Sequence, residues 1–260
     1  MDLKLQGRSA VITGGSKGIG FAIGRWFASE GCGVSLVARS AEELQRAAAA
    51  IAGEHKVEVQ TFALDLSQPE AREQLVAARG DADILVNNAG AIPGGSLEEI
   101  DDATWRAAWD LKVFGYVNLS RAFYARMKAK QRGVILNIIG AAGERLDAAY
   151  IAGSTGNAAL MAFTRALGAA SVKDGIRVLG INPGPVETER LERLTRKRAA
   201  DTLGDPDRWR ELLSKFPFAR GANVDEIAAT AVFLASDLSA YTSGTIVTID
   251  GGIANRAAFG

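Results

Sequence analysis

Seven short apolar runs recur along the chain, separated by longer stretches with helical periodicity, and that alternation leaves few folds open. The runs are Ala10-Val11-Ile12, Val34 to Ala38, Val57 to Leu64, Ile84 to Val86, Val134 to Ile139, Val178 to Ile181 and Ile246 to Ile249. Helix-like patterns cover residues 18–30, 41–52, 68–79, 101–131, 154–173 and 224–236. Strands apolar on both faces and alternating with helices imply a parallel sheet covered on both sides. The expectation is an α/β fold: one doubly wound, seven-stranded parallel sheet with helices on both faces. No linker, repeat or low-complexity tract divides residues 1–260, so a single domain is expected. The charged stretch 187–217 reads as a helical lid over the carboxyl edge of the sheet, where such folds bind ligands.

Apolar residues make up 48% of the 260, enough for a large core. Thirty basic and thirty acidic residues cancel, which argues against a nucleic-acid or membrane partner. The one cysteine, Cys32 between two glycines, excludes an internal disulfide and reads as buried packing. The one histidine, His55 between Glu54 and Lys56, reads as a solvated loop residue, and no metal site is expected. The opening Met1-Asp2-Leu3-Lys4-Leu5 lacks the apolar core of a signal peptide, so a cytoplasmic location is expected.

The first strand ends in Thr13-Gly14-Gly15-Ser16-Lys17-Gly18-Ile19-Gly20 and runs straight into a helix. Gly14 permits a tight turn, Gly18 lets a pyrophosphate approach the backbone, and Gly20 lets helix and strand pack closely. Free N–H groups at the helix start then hold the phosphates, as in a Rossmann-type site.

This loop resembles the nucleotide loop of the short-chain dehydrogenase/reductase family. Asn87-Asn88-Ala89-Gly90 is similar to that family's second signature, and Asn182-Pro183-Gly184-Pro185-Val186-Glu187-Thr188 to its third. Asp250-Gly251-Gly252 matches the usual ending of the last strand. The resemblance covers nearly the whole chain. It implies that Asp65 and Leu66 flank an adenine and that Asn88, Ala89 and Gly90 line the ribose. Pro183, Gly184, Val186 and Thr188 would border a nicotinamide. Local alternatives stand beside these roles: Asn87 satisfying open backbone groups between strands, and Asp65 capping a turn.

Cofactor choice is set after the second strand, where an NAD site needs a carboxylate for the ribose hydroxyls. Here the chain reads Val37-Ala38-Arg39-Ser40, without an acid. Arg39 and Lys17 together form a clasp for a 2′-phosphate, so NADP(H) is the expected cofactor.

The family's usual chemistry uses an Asn, a Ser, a Tyr and a Lys, and all four slots differ in this chain. Lys112 takes the asparagine slot, Gly140 the serine slot, Gly153 the tyrosine slot and Asn157 the lysine slot. A rival register pairs Tyr150 with Ser154, but it needs three extra residues inside the helix and still lacks a lysine. Gly153 and Gly156 each cost about 1 kcal/mol against alanine in a helix. Either a cavity at Gly140 and Gly153 facing the nicotinamide or close packing on a partner subunit would offset that. Lys112 and Tyr150 are the candidate catalytic residues of a rearranged proton relay, with Glu144 and Asp147 as loop acids nearby.

The first reading is therefore an NADP(H)-dependent oxidoreductase acting on a carbonyl or alcohol. Alternatives are an NADP(H)-binding protein without turnover, and a lyase or hydratase in the same pocket. Family counterparts of the long helices and of the last strand imply a homotetramer, or at least a dimer.

Overall fold

The computed structural model describes residues 2–256. All seven expected strands are present: β1 (Ser9–Thr13), β2 (Gly33–Ala38), β3 (Val59–Ala63), β4 (Ile84–Asn87), β5 (Gly133–Ile138), β6 (Ile176–Pro183) and β7 (Ile246–Ile249). They form one parallel sheet in the order β3-β2-β1-β4-β5-β6-β7. The chain therefore turns back at β1, which pairs with β2 on one side and β4 on the other. Connections diverge there, and a crevice opens at the carboxyl ends of those two strands.

Neighbouring residues on each strand serve opposite faces, because strand side chains alternate. Ile12, Leu36, Val86, Leu136 and Ile181 pack with Phe27 and Val232 on one face. Val11, Val37, Leu85, Ile135 and Val178 pack with Phe123 and Met127 on the other. Helices α1 (Gly18–Ser29), α2 (Ala41–Glu54) and α3 (Pro69–Arg79) follow the sequence reading closely. Cys32 is fully buried, with its thiol donating to the Leu5 carbonyl at 3.2 Å, and burial pushes that thiol up to about 12. His55 caps the end of α2 at the start of the loop that follows and is only partly exposed.

Two long helices differ from expectation. The stretch 101–131 is not one helix but α4 (Asp102–Trp109), a π-helical turn (Asp110–Phe114) and α5 (Gly115–Lys130). Asp101 starts it by accepting the Thr104 amide, and Gln131 ends it in the left-handed region. Helix α6 (Ile151–Ser171) begins before residue 154, despite two glycines in its first turns. The charged stretch forms α7 (Glu189–Leu203) and a 3₁₀ stretch (Pro206–Lys215). These two are joined by Arg196, which bonds Glu192 and Asp207 and lies over the Trp209 ring. Helix α8 (Val224–Ala235) begins with a capping box between Asn223 and Glu226. Among the described residues, no helix is long and apolar enough to cross a membrane.

Candidate active site

The loop between β1 and α1 has the shape a dinucleotide needs. Gly14 sits at φ +66°, a conformation costly for any residue with a side chain. A Cβ on Gly20 would fall 2.2 Å from the Gly14 carbonyl oxygen, so helix and loop meet only because nothing is there. Lys17 precedes α1 in extended conformation, and no side chain caps the helix. The first-turn amides beside Gly18 and Ile19 are therefore open to phosphate oxygens. These residues fit a dinucleotide, with Gly14 to Gly20 against its pyrophosphate.

Thr13 fastens the second signature to this loop, a role the sequence reading missed. Its hydroxyl accepts the amides of Asn88 (2.8 Å) and Ala89 (3.0 Å). Asn88 answers with its side-chain amide on the carbonyls of Thr13 and Gly14. Asn87 does not satisfy backbone groups as one reading had it. Its buried amide bonds Ser120 Oγ and Asn137 Oδ1, tying β4 to α5 and β5 through side chains. At the other wall, Pro183 ends β6, the Gly184 amide bonds the Ile249 carbonyl, and Val186 is buried. Thr188 caps α7, and its methyl lies 3.5 Å from where a Cβ on Gly18 would be. The two loops thus meet across the crevice.

Beyond β2, Arg39 is exposed and makes no ion pair among the described residues. The expected clasp is only half there, because Lys17 is held by Glu43 (3.3 Å) and Glu189 (3.1 Å). Glu43 also accepts from Ser16 at 3.1 Å. Asp65 caps its turn, accepting the amide and hydroxyl of Ser67. Those bonds hold its carboxyl below the usual range, with a smaller pull from Arg39, and Leu66 is buried beside it.

Lys112, Gly140 and Asn157 come together at the carboxyl end of β5. Lys112 lies in the π-helical turn, its stem crossing Gly90, where a Cβ would sit 2.8 Å from Lys112 Cδ. Its ammonium donates to the Ile139 carbonyl at 2.6 Å, immediately before Gly140. Burial, with Arg190 adding repulsion, pulls its pKa down to about 7. Gly140 (φ +138°) abuts the Asn157 amide, 2.9 Å from its own would-be Cβ. Asn157 is buried, and its Oδ1 has no partner.

The expected void at Gly153 does not exist, because the Tyr150 ring fills it. A Cβ on Gly153 would lie 2.0 Å from both Cε1 and Cζ of that ring. Gly156 packs within the chain, against Val113, Trp109 and Ile92. The Tyr150 backbone is pinned by the loop after β4, where Gly95 bonds Ala149 (2.7 Å) and Ile151 (3.3 Å). Ser154 of the rival register accepts the Asp147 amide at 3.0 Å, holding the loop before α6. Arg190 reaches in from α7, donating to the Ile92 carbonyl (3.1 Å) and to the Tyr150 hydroxyl (3.4 Å). Of the loop acids, Glu144 takes Asn182 and Thr248, and Asp147 the Ala149 amide.

A family model described as short chain dehydrogenase matches residues 8–199. The chain belongs to the short chain dehydrogenase family. Galactitol 2-dehydrogenase (L-tagatose-forming) of Cereibacter sphaeroides is 33% identical over 96% of this chain and 96% of its own. Among solved structures, L-sorbose reductase of Gluconobacter frateurii, complexed with NADPH and L-sorbose, is 33% identical with a TM-score of 0.91. That match covers 99% of this chain and all of the other. An NAD⁺-bound xylitol dehydrogenase is 25% identical with a TM-score of 0.87, over 96% and 100% of the two chains. As a short chain dehydrogenase, the chain is an oxidoreductase.

Proposed function

We propose that this short chain dehydrogenase interconverts a carbonyl and an alcohol with NADP(H), using Tyr150 as proton donor and Lys112 as its electrostatic support. The Tyr150 ring in the space above Gly153 is the observation behind this reading. On the reading that Gly153 takes the family's tyrosine slot, a phenol reaches that slot from three residues upstream. A bound NADP(H) supplies or accepts the hydride. On reduction, the carbonyl oxygen gains negative charge and takes the Tyr150 proton. Lys112, charged below about pH 7, adds positive charge beside Gly140 where that oxygen develops. Asn157, in the lysine slot, offers its unpartnered Oδ1 to a substrate hydroxyl or a relay water.

NADP(H) is proposed because Arg39 stands free at the end of β2 and no acid replaces it. The NADPH complexes of L-sorbose reductase and of a polyketide ketoreductase agree with it, whereas the xylitol dehydrogenase carries NAD⁺. Helix α7 and the 3₁₀ stretch after it are proposed as the substrate lid. The relatives named above are dehydrogenases and reductases, which does not favour the binding-only and lyase readings. The test is NADPH consumption over a broad carbonyl panel, comparing the unmodified chain with Tyr150→Phe and Lys112→Met. Turnover that both variants retain in full sinks the relay.

A further inference from the structure

Of the cations in and just after the lid, Arg193, Lys197, Arg198 and Lys215 make no ion pair among the described residues. Arg196, Arg208 and Arg220 are paired with acids: Glu192 and Asp207, Glu211, and Glu226. Arg190 is different. Its Nη2 is spent on two neutral oxygens, the Ile92 carbonyl and the Tyr150 hydroxyl. Its Nη1 and Nε make no hydrogen bond among the described residues, so part of the planar fork is open beside the phenol. Lys112 likewise meets a carbonyl oxygen and no carboxylate. The acids of the adjoining loop are engaged, Glu144 by Asn182 and Thr248, Asp147 by the Ala149 amide. Arg190 is near enough to Lys112 to lower its pKa, and neither makes an ion pair among the described residues.

We infer that Arg190 anchors a carboxylate on the substrate, and that the substrate is an α- or β-oxo acid or the matching hydroxy acid. This rests on Tyr150 being the proton donor, because that fixes where the reacting oxygen lies. Arg190 Nη2 is 3.4 Å from the Tyr150 hydroxyl. A carbonyl oxygen bonded to that hydroxyl is therefore within a few ångströms of the guanidinium. Only a carboxylate attached at the carbonyl carbon, or one carbon further, reaches both groups together. A planar guanidinium matches a carboxylate in two-point contact, which an ammonium does not. The Ile92 carbonyl tethers one nitrogen and so pre-sets the fork. A neutral ketone or ketose forgoes that two-point contact and binds more weakly.

The test compares straight-chain α- and β-oxo acids with their methyl esters and with a neutral ketose, using NADPH. Acids should exceed their esters in kcat/KM by about a hundredfold, expressed chiefly in KM. Arg190→Met should erase that preference, and Arg190→Lys should restore part of it. A second readout needs no turnover: binding of oxamate, an unreactive oxo-acid analogue, to the NADPH complex by calorimetry. Oxamate should bind at least about tenfold more weakly to Arg190→Met. If esters and ketoses turn over as well as acids, through Tyr150 and with KM unchanged in Arg190→Met, the carboxylate anchor is wrong and the proposed function stands. If no carbonyl of either charge turns over but oxamate binds through Arg190, the anchor stands and the proposed function falls. If oxamate binding is indifferent to Arg190, the anchor falls.

Discussion

The Tyr150 ring lies where a side chain on Gly153 would begin, with an added Cβ 2.0 Å from two of its carbons. Residues three apart near a helix start share a face, so a phenol attached at position 150 reaches the position its neighbour leaves empty. The glycine and the tyrosine form one packing unit, because the ring occupies the space the glycine leaves.

Gly153→Ala should therefore behave like a Tyr150 variant although it touches no reacting group. The methyl displaces the ring, and turnover should fall by about 10²–10⁴, the usual contribution of a positioned acid. Helix propensity alone would stabilise the chain by about 1 kcal/mol. Low turnover with an undiminished melting point and normal NADPH binding is the expected pattern. Normal turnover would show that the ring's placement has no chemical part.

If Lys112 supports the proton donor as proposed, the reduction rate should carry a pH limb. Its folded pKa is pulled down to about 7, so the ammonium is present below that value and lost above it. Reduction by the unmodified chain should slow as pH rises through about 7. Lys112→Met should be slower by about a hundredfold, roughly 2.7 kcal/mol of barrier, and should lack that limb. A limb that persists in the variant would assign it to another group.

The same lysine links stability to pH. Unfolded, it titrates at its usual 10.5, and folded at about 7, so the unfolded state binds more protons between those values. Stability then rises with pH across that window, and the burial penalty is fully present below about 7. Denaturant midpoints should show Lys112→Met more stable than the unmodified chain near pH 6, with the gap closing towards pH 10. A gap that widens with pH would contradict burial as the cause.

Arg39 should set cofactor preference almost alone, because Lys17 is engaged with Glu43 and Glu189. NADPH should bind at least about tenfold tighter than NADH, near 1.4 kcal/mol. Arg39→Asp should remove that preference, while Lys17→Met should change it much less. Fluorescence titration of both cofactors decides it.

Assembly can be checked through exposed apolar side chains. Phe114 beside α5, Val172 after α6, and Phe233, Leu238 and Tyr241 around α8 all face solvent in the single chain. Such side chains are expected to be covered in a symmetric dimer or tetramer. Light scattering at micromolar concentration should return a mass above one chain. A monomer would leave those residues unexplained.

The strands were legible because both-face apolar runs have few other uses, and Val11 beside Ile12 shows the alternation directly. The glycine loop was legible because its conformational demands are local. What could not be read depended on contacts distant in sequence. The start of α6 is set by the Gly95 bridge, which no pattern around residue 151 announces. The occupation of Lys17 by Glu43 and Glu189 needs α2 and α7 in place. Glycine at 153 read as empty space, since a side chain three residues away leaves no trace at the position it fills. Arg190 is one of many cations in the charged stretch 187–217, and its contact with Tyr150 is purely tertiary.

The π-helical turn at Asp110–Phe114 makes this pocket sensitive to chain length rather than to residue type. A five-residue hydrogen-bonded loop accommodates one residue more than an α-helix would, and such turns cluster at functional sites. Removing a single residue there would let α4 and α5 merge into one straight helix. The wide turn absorbs the extra residue locally, so the flanks would keep nearly the same relative rotation while the side chains inside the turn shift. Lys112 would swing off the Ile139 carbonyl, with every side chain of the pocket still encoded. A one-codon deletion in this turn thus repositions Lys112 while the sheet beneath stays unchanged.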